Sequence, residues 1–166
     1  MPESFEEYVT VRGPSLLRLA YVLCGDHHLA EDIVQEVLVR VHRRWRRVSE
    51  VEQPEAYVRR AVVREFLSWR RRRASREITI ATPPERRTAD GGDERAERDE
   101  MLRLLARLPR SQRVVLVLRY YEDLPDDDIA DVLGCAPATV RVHASRGIAK
   151  LRGLTTTKET HHEPAP

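Results

Sequence analysis

Cysteine is scarce. The chain has two, Cys24 and Cys135, far apart. That spacing makes no metal site, and a disulfide between them would have to clamp two separate blocks of sequence. Free thiols in a reducing cytosol are the simpler expectation. No run of about 18 apolar residues occurs, so no membrane span is expected. The N-terminal residues include acids and lack the charged-then-apolar order of a signal peptide. Aromatic residues make up only 5%, against 34% charged, which points to much solvated helix surface. No Gly-rich phosphate loop and no Ser/His/Asp set stands out, so neither catalysis nor a cofactor is expected. Three metal-like groups fail on ligand count. Asp126, Asp127 and Asp128 diverge around a helix, Cys24 with His27 and His28 lacks a second pair, and His161 and His162 sit in a polar tail.

Lysine is nearly absent too: Lys150 and Lys158 are the only two. Arginine carries the positive charge, and unevenly. Between Arg40 and Arg76 there are thirteen Arg against four Glu, while Glu85 to Glu100 holds seven acids against four Arg. Such asymmetry suits a nucleic-acid-binding face followed by a solvated connector. Arginine pairs bidentately with phosphate and with guanine edges.

Apolar periodicity predicts an all-α chain with no internal repeat. A first helical stretch, about Ser4 to Leu23, repeats Phe5, Tyr8, Val9, Leu16, Leu19, Ala20 and Leu23 at steps of three and four. Gly13-Pro14 predicts a kink there, or two helices meeting. Asp26 is the expected N-cap of the next helix, about His27 to Arg47, whose stripe is Ala30, Ile33, Val34, Val37, Leu38, Val41 and Trp45. Its polar face runs from acidic to basic, as the helix dipole favours. Val48 to Glu55 reads as a loop. Pro54 opens a third helix with Tyr57, Ala61, Val62 and Phe66 inward, ending in Trp69 and four arginines. Arginine beside aromatic residues can hold phosphates and stack unpaired bases.

A polar stretch with Pro83-Pro84 and Gly91-Gly92 reads as a linker. Helical pattern resumes near Asp93, stops at Pro109, and restarts with Val114, Val115, Leu116, Leu118 and Tyr121 in another helix that ends near Glu122-Asp123. Leu124 to Gly147 then reads as a helix-turn-helix. Ile129, Ala130, Val132 and Leu133 form the first helix's apolar face, Gly134 makes the turn, and Pro137 starts the second helix. Val140, Ala144, Ile148 and Leu151 would face the core. An ordinary helical hairpin fits this stretch as well. The tail after Thr155 has no stripe and is expected to be disordered.

Taken together, two blocks resemble the bacterial sigma factors of the extracytoplasmic-function group, actinobacterial type. The first is Ala30 to Val37 after Gly25-Asp26 with the Arg-rich third helix; the second is Leu108-Pro109 through Leu151-Arg152. The resemblance implies two small helical domains: sigma region 2 over residues 1–76 and sigma region 4 over 98–154. A flexible linker would fill 77–97, with a disordered tail at 155–166. It implies a factor that binds core RNA polymerase and directs initiation at promoter DNA by recognising the −10 and −35 elements. It also admits an anti-sigma factor as a partner. On this resemblance Asp32, Ile33, Gln35, Glu36 and Val37 would dock on polymerase. Tyr57, Arg60, Arg64, Phe66, Trp69, Arg70 and Arg71 would handle the −10 element, though Tyr57 and Phe66 equally suit a core. Arg141, Val142, Ser145 and Arg146 would face the −35 groove, with Thr139, His143 and Arg119 on flanking phosphates.

The chain departs from the family's pattern in places. Arg64 stands where Asn is usual and Ser68 where Asp is common. Pro125 and Ala136 replace capping residues, so Asp126 is the remaining cap for the first helix of the pair. Val142 replaces a polar residue. Two rival readings keep the helix-turn-helix or the helical surface but not the promoter function. One is a LuxR-type regulator, which the N-terminal half disfavours because it lacks a receiver-like strand pattern; the other is a sigma-mimicking interaction adaptor.

Overall fold

A computed structural model describes residues 4–76 and 93–159, all helix, turn or short loop; among them there is no strand. The chain divides into two compact units, Met1–Arg87 and Thr88–Pro166. Ile78 to Ile80 and the Pro- and Gly-rich stretch of the expected linker lie outside the described residues, as do His161 and His162.

The first unit contains α1 (Phe5–Cys24), α2 (His27–His42), α3 (Trp45–Ser49) and α4 (Pro54–Arg76). Ser4 caps α1, its hydroxyl accepting from the Glu7 N–H at 3.1 Å. The helix ends on Gly25, whose φ of 72° is easy only without a Cβ, and whose N–H donates to the Tyr21 carbonyl. Asp26 then caps α2 through the Leu29 N–H at 2.8 Å, as expected. The three long helices pack on one another. Leu16, Leu19 and Leu23 of α1, Ile33 and Val37 of α2, and Val58, Val62, Val63 and Phe66 of α4 fill the core. Each such side chain contributes roughly 1.5–3 kcal/mol by leaving water.

Pro14 does not split α1, which is one helix. The proline forfeits one ladder bond, but Tyr8 and Leu16 on either side of it are both buried, so packing holds the helix across it. The second helix is shorter than its stripe suggested. It stops at His42, turns at Arg43-Arg44, and restarts as α3. Val48 and Ser49 are therefore helical and Val48 is buried, so the loop shrinks to residues 50–53.

The second unit contains α5 (Asp93–Ala106), α6 (Arg110–Leu116), a π turn (Val117–Tyr121), α7 (Asp126–Leu133) and α8 (Pro137–Glu159). The helix α5 starts at Asp93, where the helical pattern was expected to resume, so residues 93–97 of the 77–97 linker are helical; α8 takes in 155–159, the start of the expected tail. There the Thr155 and Thr156 hydroxyls donate back to the Arg152 carbonyl. The long helix α8 packs on α6 and α7. Val140 and Ala144 are fully buried against them, while Ile148 and Leu151 are only half-buried. At the α6–α8 contact stands Gly147: a Cβ there would lie 2.9 Å from Leu116 Cδ1.

Candidate polymerase and nucleic-acid interfaces

On α2 the expected docking residues split between two faces. Asp32, Gln35 and Glu36 are exposed. Ile33 and Val37 are not available to a partner, because both are sealed in the core at 2% and 1% exposure. The apolar member of the exposed stripe is instead Val39, seven residues from Asp32 and 50% exposed. It falls outside the core stripe, and a lone outward valine was its only mark in the sequence.

On α4 Tyr57, Arg60, Arg64 and Arg71 follow one another at steps of three, four and seven, and so share a face. Tyr57 is 44% exposed and does not point inward as expected. Phe66, on the opposite side, is core and offers no surface for a base. Trp69 is half-buried at the edge of the exposed face. The side chain of Arg70 lies outside the described residues.

Behind that face Glu65 is buried at 4% exposure, and it anchors α4 to α2. One carboxylate oxygen accepts from Arg40 of α2 and the other from Arg72 of α4. Burial alone would push this carboxyl up; the hydrogen bonds from Arg72 and Arg40 outweigh it and hold the group below the ordinary carboxylate value. The start of α4 is tied down as well. Glu55 bridges Arg12 of α1 at 3.2 Å and Arg59 at 2.7 Å. These three line a cleft of about 350 Å³ with Tyr8, Gln53, Pro54 and Ala56. Burial, helped by the negative charge of Glu55, pushes the Tyr8 hydroxyl up to about 12, so it stays protonated.

In the second unit the turn is built as its residues dictate. Gly134 has a φ of 66° and its N–H reaches the Ala130 carbonyl. Pro137 opens α8. Thr139, Arg141, Val142, Ser145 and Arg146 are all exposed, on the side of α8 away from Val140 and Ala144. Val142 is 45% exposed, an apolar contact point in an otherwise polar surface. His143 is half-buried, and its Nδ1 has no hydrogen-bond partner among the described residues.

Two expectations change at the start of α7. Asp126 does not cap it: Pro125 occupies the cap position and no side chain bonds the first turn. The Asp126 carboxylate instead takes the Arg119 guanidinium, whose Nε lies 3.0 Å from Oδ1. That hydrogen bond raises the Arg119 pKa further. Arg119 is thus engaged within the unit, and reaching a DNA phosphate would mean exchanging Asp126 for it. Its place is set by the π turn, whose extra residue per turn re-aims the side chains that follow. Tyr121, at the end of the same turn, is 47% exposed.

Comparison with known proteins matches these units to two family segments. Residues 9–76 match Sigma-70 region 2 and residues 98–151 match Sigma-70, region 4. The RNA polymerase sigma-E factor of Streptomyces avermitilis is 34% identical over 148 residues, covering 89% of this chain and 83% of that protein. The ECF RNA polymerase sigma factor ShbA of Streptomyces griseus is 34% identical over 143 residues, covering 80% of this chain and 75% of that one. The chain belongs to the extracytoplasmic-function sigma factors. In fold it is similar to the sigma factor RpoE of Bartonella quintana, solved with the anti-sigma factor NepR. The TM-score is 0.70 at 24% identity, covering 92% of this chain and 96% of that one. As a sigma factor it has its family's two helical blocks in order, and no helix among its described residues is long and apolar enough to cross a membrane.

Proposed function

We propose that this sigma factor divides its work between three exposed faces. Asp32, Gln35, Glu36 and Val39 of α2 dock on core RNA polymerase, polar residues flanking one apolar contact as helix-to-helix docking requires. The α4 face of Tyr57, Arg60, Arg64 and Arg71, with Trp69 at its edge and Arg70 in the same run, engages the −10 element as it opens. Arginines hold the backbone there and the aromatics meet unstacked bases. Arg64 donates hydrogen bonds but accepts none, so it favours phosphate or a guanine edge. The α8 face reads the −35 element, with Arg141 and Arg146 as base or phosphate contacts, Ser145 polar, and Val142 suited to a thymine methyl. Thr139 and His143 flank it.

One observation carries the reading. The first turns of α8 present these side chains outward while Val140 and Ala144 are fully buried behind them. That is how a recognition helix stands on its support. Residues 1–76 and 98–154 then act as the two promoter-binding domains, joined by residues 77–97. Linking two weak contacts raises the effective concentration of the second. The protein works in the cytoplasm, where polymerase and promoter are, and it performs no catalytic step of its own. An anti-sigma factor is a further partner of this reading; the Bartonella quintana sigma factor was solved with one, NepR. Run-off transcription with purified core polymerase tests the proposal: promoter-specific start sites must appear only when the protein is added. Operator binding without polymerase would favour a LuxR-type regulator instead.

A further inference from the structure

We propose that the cleft between α1 and the start of α4 binds a small organic carboxylate that also carries a hydroxyl or amino donor, as hydroxy acids and amino acids do. The cleft measures about 350 Å³, at the small end of the range for ligand pockets. Tyr8 and Arg12, one turn apart on α1, form one wall. Pro54, Glu55, Ala56 and Arg59 of α4 form the other. Tyr57 lies two residues from both Glu55 and Arg59, about 200° around the helix. The cleft is therefore on the α1 side of α4, away from the aromatic residue assigned to the promoter.

Tyr8 is 2% exposed, and its hydroxyl is buried with no hydrogen-bond partner among the described residues. A buried donor of this kind is costly to leave unmatched. Its ring packs on Trp45, while Glu55, Arg12 and Arg59 all act on its hydroxyl through their charge. The polar end of the side chain thus stands at the cleft, protonated, with an O–H to give an acceptor. Two guanidiniums against the one carboxylate that bridges them leave a single positive charge. The Arg12 bridge engages Nη2 of a guanidinium that carries five N–H donors, so its fork has room for a second carboxylate. Glu55 and Ala56 lie in the first turn of α4, where N–H groups have no partner within the helix and the dipole favours an anion. These groups match one negative charge. A phosphate dianion would meet Glu55 at close quarters and is disfavoured. The same Glu55 accepts from a hydroxyl or ammonium placed beside the ligand's own carboxylate, and Pro54 and Ala56 offer an apolar wall to its body.

Titration calorimetry on the full chain compares phenylpropionate, phenyllactate and free phenylalanine. The three share a body and differ in carrying no donor, a hydroxyl or an ammonium beside the carboxylate. Trp45 fluorescence gives a second readout, since its ring lies 5.0 Å from that of Tyr8. Phenyllactate and phenylalanine should bind saturably, one per chain, raise the Tm of the first unit, and exceed phenylpropionate several-fold in affinity. Tyr8→Phe removes an unmatched hydroxyl, so it should melt no lower than wild type yet weaken all three acids about tenfold or more. Glu55→Gln should cost free phenylalanine most, because an amide no longer attracts the ammonium. In wild type the Tyr8 Cζ resonance should shift on saturation, which reads the hydroxyl contact without any variant. No saturable binding of any of the acids overturns the site, as does an unmoved Tyr8 resonance or an unchanged affinity in Tyr8→Phe. Phenylpropionate or inorganic phosphate binding as tightly as the other two overturns the ligand class.

Discussion

Replacing Glu65 with Gln should loosen α4 from α2 in a pH-dependent way. The carboxylate gives one oxygen to Arg40 and one to Arg72. An amide keeps one acceptor and turns an N–H donor towards the second guanidinium, which must then swing out. A hydrogen bond to a charged group is worth about 1.5–3 kcal/mol. Both arginine side chains are about half exposed, so water recovers part of what each loses. Losing one bond and weakening the other should cost the first unit about 2 kcal/mol. On a domain of this size, that is a fall in Tm of roughly 8–16 °C. The pH dependence follows from the lowered carboxyl. Its contribution is complete above the unfolded value, about 4.3, and is lost as pH falls through the lower folded value. Thermal unfolding of wild type and E65Q should therefore differ most near neutrality and converge in acid. A Tm gap under about 2 °C at neutral pH, or one that stays constant on acidification, would refute the account of Glu65 as a cross-tie.

Gly147→Ala should destabilise the second unit by about 1–2 kcal/mol, since its Cβ would press on Leu116. Gly153→Ala, with open space at its Cβ, should gain up to about 1 kcal/mol of helix propensity; denaturant melts of the pair check both. Val39→Asp should weaken core polymerase binding about tenfold, roughly 1.4 kcal/mol, with an unchanged melting curve. Ile33→Asp should unfold the first unit, because it buries an unpaired charge. Arg141→Ala should relax the upstream preference by about 1–3 kcal/mol at one position and leave polymerase affinity intact, as promoter-library transcription would show.

Much of the fold could be read directly from the residues. Gly134 and Pro137 fix the helix-turn-helix because each satisfies a backbone requirement few other residues meet. The α2 stripe was visible through its core residues, and for the same reason it misled twice. Ile33 and Val37 are apolar neighbours of the acidic face, yet they serve the interior; periodicity tells which residues share a side, not which side meets a partner. Trp45 lies four residues after Val41 and stays in phase with the stripe, so the pattern ran straight through the turn at Arg43-Arg44. The π turn at Val117–Tyr121 left no periodic sign in the sequence, which reads there as ordinary helix. Arg119 looked like a phosphate contact because nothing in linear sequence places it against Asp126, seven residues later.

That π turn also constrains chain length. In an α-helix each residue advances about 100° around the axis. Val117 to Tyr121 holds one residue more than an α turn needs, and Arg119, inside that segment, pairs with Asp126 of α7. Removing a single residue from this segment would leave every helix its propensity and every core position its hydrophobicity. It would still rotate Arg119 away by about a quarter turn and leave Asp126 facing water. Among relatives of this chain, a one-residue deletion here should therefore travel with a different residue at position 126, while substitutions that keep the length should be tolerated far more freely.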